Sequence, residues 1–417
     1  MIKLKYGRII EEVDLKTNYT LLDPQLPAPL KNPGDAIAEA LANSHPSLEE
    51  VLSGASEIAV IVPDATRYAG AEIYCPVLAQ AIEKIIPNSE ITFIIANGLH
   101  RPPKKDEIER IIGQPLAKKY KVDFNDSDNL SKYEIVNEFP DGTPIEILRT
   151  AFESEKIIIT GAVAIHYLAG FGGGRKALVP GIASKRTILA AHRLSLHPTP
   201  GEGRHPACRP ANVAGNPMHE RLTIAQNYIA PAYMLNTILS GDKKILDVFA
   251  GDPTASYQNA MKRAGELFAP QADRRFDVTI ISAGGFPKDI NLIQSHKTLE
   301  NASYITKPGG TIILFAECGE GIGHPDFLAL FSKGNSRAMD LALRGDFKVY
   351  GQTAVTTRKK IETFNVYIKT SLDDEALKTI GAKRFNSVSE INEIISGLSA
   401  PDVAVVPEGS TFCFTAK

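Results

Sequence analysis

The chain of 417 residues exceeds the ~250–300 at which one core stops growing, so two domains are expected. Its 46 Lys and Arg against 48 Asp and Glu leave a net charge of −2, which excludes a general attraction to nucleic acid or membrane and makes any anion binding local. Cys75, Cys208, Cys318 and Cys413 form no CxxC pair or disulfide framework, MIKLKYGRII lacks a signal-peptide core, and no apolar run of about 18 residues follows, so a cytoplasmic protein with reduced thiols is expected.

In chain order, residues 57–62 (EIAVIV) predict a buried strand, 74–86 a helix and 91–96 (ITFIIA) the next strand, a βαβ unit with parallel pairing. Further strands are predicted near 145–149 and 157–161. Ser184 is a good N-cap for a helix over 185–196. Residues 197–240, rich in Pro, Gly and Asn, predict long ordered loops around one helix. A helix at about 253–267 and a linker at 269–275 follow, and then the pattern restarts. Strand 276–282, a helix at about 294–306 and strand 311–316 lead to strands near 347–350, 365–370 and 402–406, with a helix in SVSEINEIISGL. The expected fold is α/β with two doubly wound, Rossmann-like domains. The first spans 1–268 and is completed by about 398–417; the second spans 276–397.

Between Glu155 and Glu202 lie 46 residues without one carboxylate, carrying six Lys or Arg and three His. Within them, Gly172-Gly173-Gly174-Arg175-Lys176-Ala177 offers backbone N–H groups to an anion, most naturally a phosphate. The plainer alternative is a basic surface loop. A Walker A loop needs Ser or Thr after its lysine, and Ala177 stands there, so magnesium-dependent ATP hydrolysis is disfavoured. The stretch fits GxGxxA, but the acidic ribose ligand expected about 20 residues later is missing, which disfavours a conventional dinucleotide site.

Ligands of open parallel sheets collect beyond the carboxyl ends of the strands. Three predicted strands end in reactive residues: PDATR with Asp64 and Arg67, ANGLHRP with His100, and GAVAIH with His166. Singly, Asp64 could cap a helix and either histidine could be a satisfied polar residue; together, beside a glycine loop, they point to chemistry. His192, four residues after Ile188, faces the side of its helix that packs inward. It reads either as a hydrogen-bonded core histidine or as a ligand for a borderline metal, whose remaining ligands a bound molecule would supply.

These residues resemble the nickel-dependent lactate racemases, which use a nickel-pincer nucleotide. The resemblance rests on DATR at 64–67, GLHRP at 98–102, the stretch from His166 through GGGRKALVPGIA to His192, GNPMHE at 215–220 and QSHK at 294–297. It implies that Lys176 carries a pyridinium-3,5-bisthiocarboxylic acid mononucleotide through a thioamide bond, and that His192 coordinates its nickel. It implies that Gly172, Gly173, Gly174 and Arg175, with Asp64 and Arg67, hold the nucleotide's phosphate and ribose. His100 and His166 would be acid/base groups on opposite sides of a small 2-hydroxy acid, and Gln294 and Lys297 would reach its oxygens from the second domain, in a cleft between the two. Cofactor-biosynthesis enzymes would be transient partners; nucleic acid and membrane would not be partners.

The implied activity is a racemase or epimerase at C2 that works by reversible hydride transfer. One departure bears on the substrate: lactate-acting members usually carry an aromatic wall, often Trp, whereas this chain has no Trp and places Ile293 where a Tyr is common before Gln294. Two alternatives stand beside the racemase. One is a C2-epimerase of a larger sugar acid. The other is a non-catalytic carrier of the nucleotide, for which His100 and His166 would be superfluous.

Overall fold

The computed structural model describes residues 1–416 and divides into two compact units. The first domain comprises 26–194 and 207–266; the second comprises 1–25, 195–206 and 267 onward. Among the described residues, no helix is long and apolar enough to cross a membrane.

In the first domain, strands β1 (Glu57–Pro63), β2 (Glu90–Ala96), β3 (Lys121–Phe124), β4 (Lys156–Ala162), β5 (Tyr233–Leu239) and β6 (Ile245–Gly251) form one sheet in the order β6-β5-β4-β1-β2-β3. All neighbours are parallel except β5 and β6. Ile58 to Val62 are all buried, as expected of a strand covered on both faces. Each such side chain contributes roughly 1.5–3 kcal/mol relative to exposure. Helix α1 (Ala71–Ile85) crosses from β1 to β2, burying Tyr74, Cys75, Leu78 and Ile82 on the core that covers one face. Chain order reverses between β1 and β4: β2 and β3 extend the sheet on one side, β5 and β6 on the other. That is the topological switch point, where the loops after β1 and β4 part and leave room for a ligand.

Helices α2 (Lys185–Arg193), α3 (Pro217–Ile229) and α4 (Pro253–Phe268) complete the elements used below. Strands β5 and β6 fall where loops were expected or beyond them. The sequence YMLNTIL hides β5 because Asn236 and Thr237 interrupt its apolar run, and both are fully buried. The strand predicted near 145–149 exists as Pro144–Leu148, but it pairs antiparallel with Tyr133–Glu138 in a separate ribbon.

The second domain holds β7 (Phe276–Ser282), β8 (Thr306–Phe315), β9 (Asn365–Lys369), β10 (Lys383–Arg384) and β11 (Val403–Val406) in a parallel sheet, order β10-β9-β8-β7-β11, with Thr20–Leu21 beyond β11. Two expectations are corrected here. The last strand does not return to the first domain: β11 pairs with β7, where all four of its residues are buried. The strand near 347–350 is instead the start of α6 (Val349–Thr363). Its threonines satisfy themselves within the helix, Thr356 and Thr357 donating to the carbonyls of Gln352 and Thr353 at 2.9 Å, and α6 packs on α5 (Leu292–Ile305).

Ser184 caps α2 by accepting from Thr187 N at 3.3 Å, and its hydroxyl donates to buried Glu146. Ser184→Ala removes both bonds. It should destabilise the first domain by about 1–2 kcal/mol, read as a lower urea midpoint in a transition followed on that domain.

Candidate functional site

The loop after β1 carries Asp64, which is buried, and Arg67; the loop after β2 carries His100. His100 Nδ1 lies 2.7 Å from Asp64 Oδ2, and the Thr66 hydroxyl donates to Asp64 Oδ1 at 3.0 Å. An ionised carboxylate only accepts, so Nδ1 carries the hydrogen and Nε2 presents a lone pair. Asp64 is thus the orienting partner of His100, a role the sequence reading had not given it. Two bonds hold the turn that presents His100: His100 N donates to Asn97 O at 2.8 Å, and Asn97 Nδ2 donates back to His100 O at 2.9 Å.

His166 follows β4 on a short hairpin, Ile165–His166 against Gly170–Phe171, which leads directly into the glycine loop. Its Nδ1 accepts from the backbone N–H of Leu168 at 3.2 Å and of Ala169 at 3.1 Å, and its ring stacks on Tyr167. Gly98 N, in the loop that carries His100, donates to Gly181 O at 3.0 Å, so the segment after the glycine loop packs on that loop.

The glycines have a steric reason that the sequence did not reveal. Gly173 has φ +71°, and a Cβ there would meet Ala162 O at 2.6 Å; at Gly174, φ +50°, it would collide with the Tyr257 ring. Gly174 N donates to Asn236 Oδ1 at 3.0 Å, tying the loop to β5. Arg175 is turned inward and only 3% exposed; its guanidinium lies 4.9 Å from the Tyr257 ring centroid and bonds Thr223 on α3. Among the described residues, its buried Nε has no hydrogen-bond partner.

Lys176 follows on one tight turn, Gly174–Ala177. Burial, helped by the neighbouring charge of Arg67, pushes its amine down to about 8. Burial and then Lys176 push His192 on α2 down to about 4, so its imidazole is neutral at pH 7. His192 Nδ1–H donates to Ile188 O at 2.9 Å, which puts the lone pair of the neutral ring on Nε2. Arg67, Lys176 and His192 are therefore electrostatic neighbours. Among the described residues, no three His, Cys, Asp or Glu side chains converge to hold a metal, so an ion on His192 would need ligands from a bound molecule.

Gln294 and Lys297 belong to the second domain and pair with each other on the first turns of α5, Lys297 Nζ donating to Gln294 Oε1 at 2.9 Å. Asn291 caps that helix at Gln294 N. Three turns along, buried Glu300 holds Arg204 and Lys360, which anchors the helix. The sequence reading singled out Asp64, Arg67, His100, His166, Arg175, Lys176 and His192, all of which lie in the first domain. It missed Thr66, Asn236 and Tyr257; a strand assignment for 233–239 would have exposed Asn236.

The family model for the lactate racemase N-terminal domain matches residues 6–203, and that for the C-terminal domain matches 271–409. The lactate racemase of Thermoanaerobacterium thermosaccharolyticum is 29% identical over 88% of this chain and 89% of its own length. That of Lactiplantibacillus plantarum is 32% identical over 67% of this chain and 64% of its own. The solved apoprotein of the former superposes with a TM-score of 0.88 at 25% identity, covering 99% of both chains. A Thermotoga maritima structure, TM-score 0.68 at 18% identity, shares the fold.

An amine held near 8 is protonated below that pH and neutral above it. Acylation of Lys176 by a small reagent, followed by peptide mass spectrometry, should therefore rise with pH about a midpoint near 8, whereas exposed lysines should follow ~10.4. A midpoint for Lys176 above 10 would contradict the burial argument.

Proposed function

We propose, from the premise that this chain belongs to the lactate racemase family, that it racemises or epimerises a 2-hydroxy acid at C2 with a nickel-pincer nucleotide held by Lys176 and His192. The observation that carries this reading is the pairing of a lysine amine pushed down to about 8 with a histidine pushed down to about 4, whose Nδ1–H faces Ile188 O so that Nε2 is the nitrogen carrying the lone pair. A thioamide bond needs a neutral amine, and a nickel bond needs a neutral imidazole; burial favours both.

Other features fit the same group. The charge of Arg67 acts on Lys176, suiting a phosphate nearby, while the N–H groups of Gly172 and Gly174 in the glycine loop are already bonded to Ala164 O and Asn236 Oδ1. Arg175 supports that loop from behind, through Tyr257 and Thr223. When bound, the cofactor supplies an electrophilic ring carbon that accepts hydride from C2, which avoids a carbanion beside the substrate's carboxylate.

The protein's own part is positioning and proton transfer. His100 Nε2 takes the hydroxyl proton, and Asp64 stabilises the imidazolium that forms. His166 serves the hydroxyl on the other face. Gln294 and Lys297, paired on α5 of the second domain, carry an amide and an amine of the kind that binds a hydroxy acid's oxygens. A larger sugar acid is the second reading of the substrate, favoured by the absence of any Trp wall and by Ile293 in place of Tyr.

Substrate deuterated at C2 and turned over in ordinary water tests the reaction class. Hydride return should keep the label in the inverted product. Loss of deuterium at the rate of inversion would show plain two-base proton transfer and overturn the proposal.

A further inference from the structure

We infer that His100 and His166 are not interchangeable: the bonds at their Nδ1 atoms make His100 the resting proton acceptor and His166 the resting hydrogen donor toward substrate. This rests on the reading above that both face the substrate's hydroxyl oxygen.

The two rings meet opposite partners. At His100 the partner is the Asp64 carboxylate at 2.7 Å, already accepting from the Thr66 hydroxyl, so it can only accept from Nδ1. The ring is locked with its lone pair on Nε2. At His166 two backbone N–H groups, of Leu168 and Ala169, are aimed at Nδ1 within 3.2 Å. Backbone N–H only donates, so Nδ1 holds the lone pair and the hydrogen of the neutral ring sits on Nε2.

For His166 to accept a proton at Nε2, the ring must carry hydrogen on both nitrogens or move it to Nδ1. Either places an N–H against two N–H donors and breaks both bonds. A typical hydrogen bond contributes ~0.5–1.5 kcal/mol, and an unsatisfied buried donor costs more, so the hairpin turn 166–169 must open first. His100 needs no such change. The substrate O–H bond breaks, an N–H bond forms at His100 Nε2, and Asp64 balances the new charge. The electron pair left on oxygen forms the C=O bond as hydrogen leaves C2 with its pair to the hydride-accepting cofactor.

One enantiomer therefore meets a ready base and the other waits for a rearrangement. Enantiomers have equal free energy, so kcat/KM must match in the two directions. The asymmetry then shows as kcat and KM shifting together by a common factor.

The direct test is long-range 1H–15N correlation on the 15N-labelled full-length protein, with signals assigned by their loss in His100→Gln and His166→Gln. Hydrogen on Nδ1 of His100 and on Nε2 of His166 is expected. An Nδ1–H on His166, protonation of both its nitrogens, or rapid averaging of its tautomers would overturn the inference. This reading needs neither nickel nor nucleotide, so it stands or falls separately from the reaction class, which the deuterium label decides.

The second arm uses His166→Gln, whose amide keeps an N–H donor but cannot carry a proton, with cofactor content verified by mass. Single-turnover oxidation of one enantiomer to the 2-keto acid should survive within about tenfold. Oxidation of the other should fall by the ~10²–10⁴ of a lost base. Equal loss for both enantiomers would contradict the asymmetry.

Discussion

The amine of Lys176 sits where solvent reaches it poorly, with the positive charge of exposed Arg67 acting on it and the imidazole of His192 close enough to feel the Lys176 charge in turn. Desolvation and mutual repulsion disfavour protonating Lys176 and His192 together. Both groups are driven toward neutrality, Lys176 to about 8 and His192 to about 4. In the function proposed above, Lys176 would be the nucleophile and His192 the metal ligand. Both residues lie in the acid-free run of 46 residues, which adds no carboxylate of its own to offset those positive charges.

The fold explains why the conflict is tolerated. The glycine loop is locked between the end of β4, the Tyr257 ring and Asn236, which fixes the backbone that presents Lys176. Ser184 caps α2 and fixes the helix that bears His192. The reversal of strand order between β1 and β4 brings the Asp64 loop and the His166 hairpin to the two sides of one switch point. Each part does a local job, and together they hold buried bases at the carboxyl end of a parallel sheet.

Much of this was legible before any coordinates, and the limits have physical reasons. Fully buried parallel strands such as 57–63 and 276–282 announce themselves as unbroken apolar runs. Strand 233–239 did not, because Asn236 and Thr237 are buried through specific hydrogen bonds, to Gly174 N and Ala69 O, that composition cannot show. The strand expected near 347–350 is helix from Val349 onward, and the threonines that follow are satisfied within that helix, a bonding pattern composition does not show. The site residues were visible as types and spacings, but their pairings were not. Asp64 meets His100 across 36 residues, and the N–H groups that fix His166 belong to a turn with no side-chain signature. The triple glycine was read as a cradle for an anion, although two of its members are required first by the protein's own backbone and by Tyr257.

The central claim is that Lys176 is the covalent anchor of a metal-bearing nucleotide whose metal His192 holds. Peptide mass spectrometry and nickel analysis on protein produced together with the cofactor's biosynthetic enzymes test it most directly. The account predicts a nucleotide-derived adduct confined to Lys176, with nickel in proportion to that adduct, and a His192→Ala variant that keeps the adduct while losing nickel. Active protein with an unmodified Lys176 would contradict it.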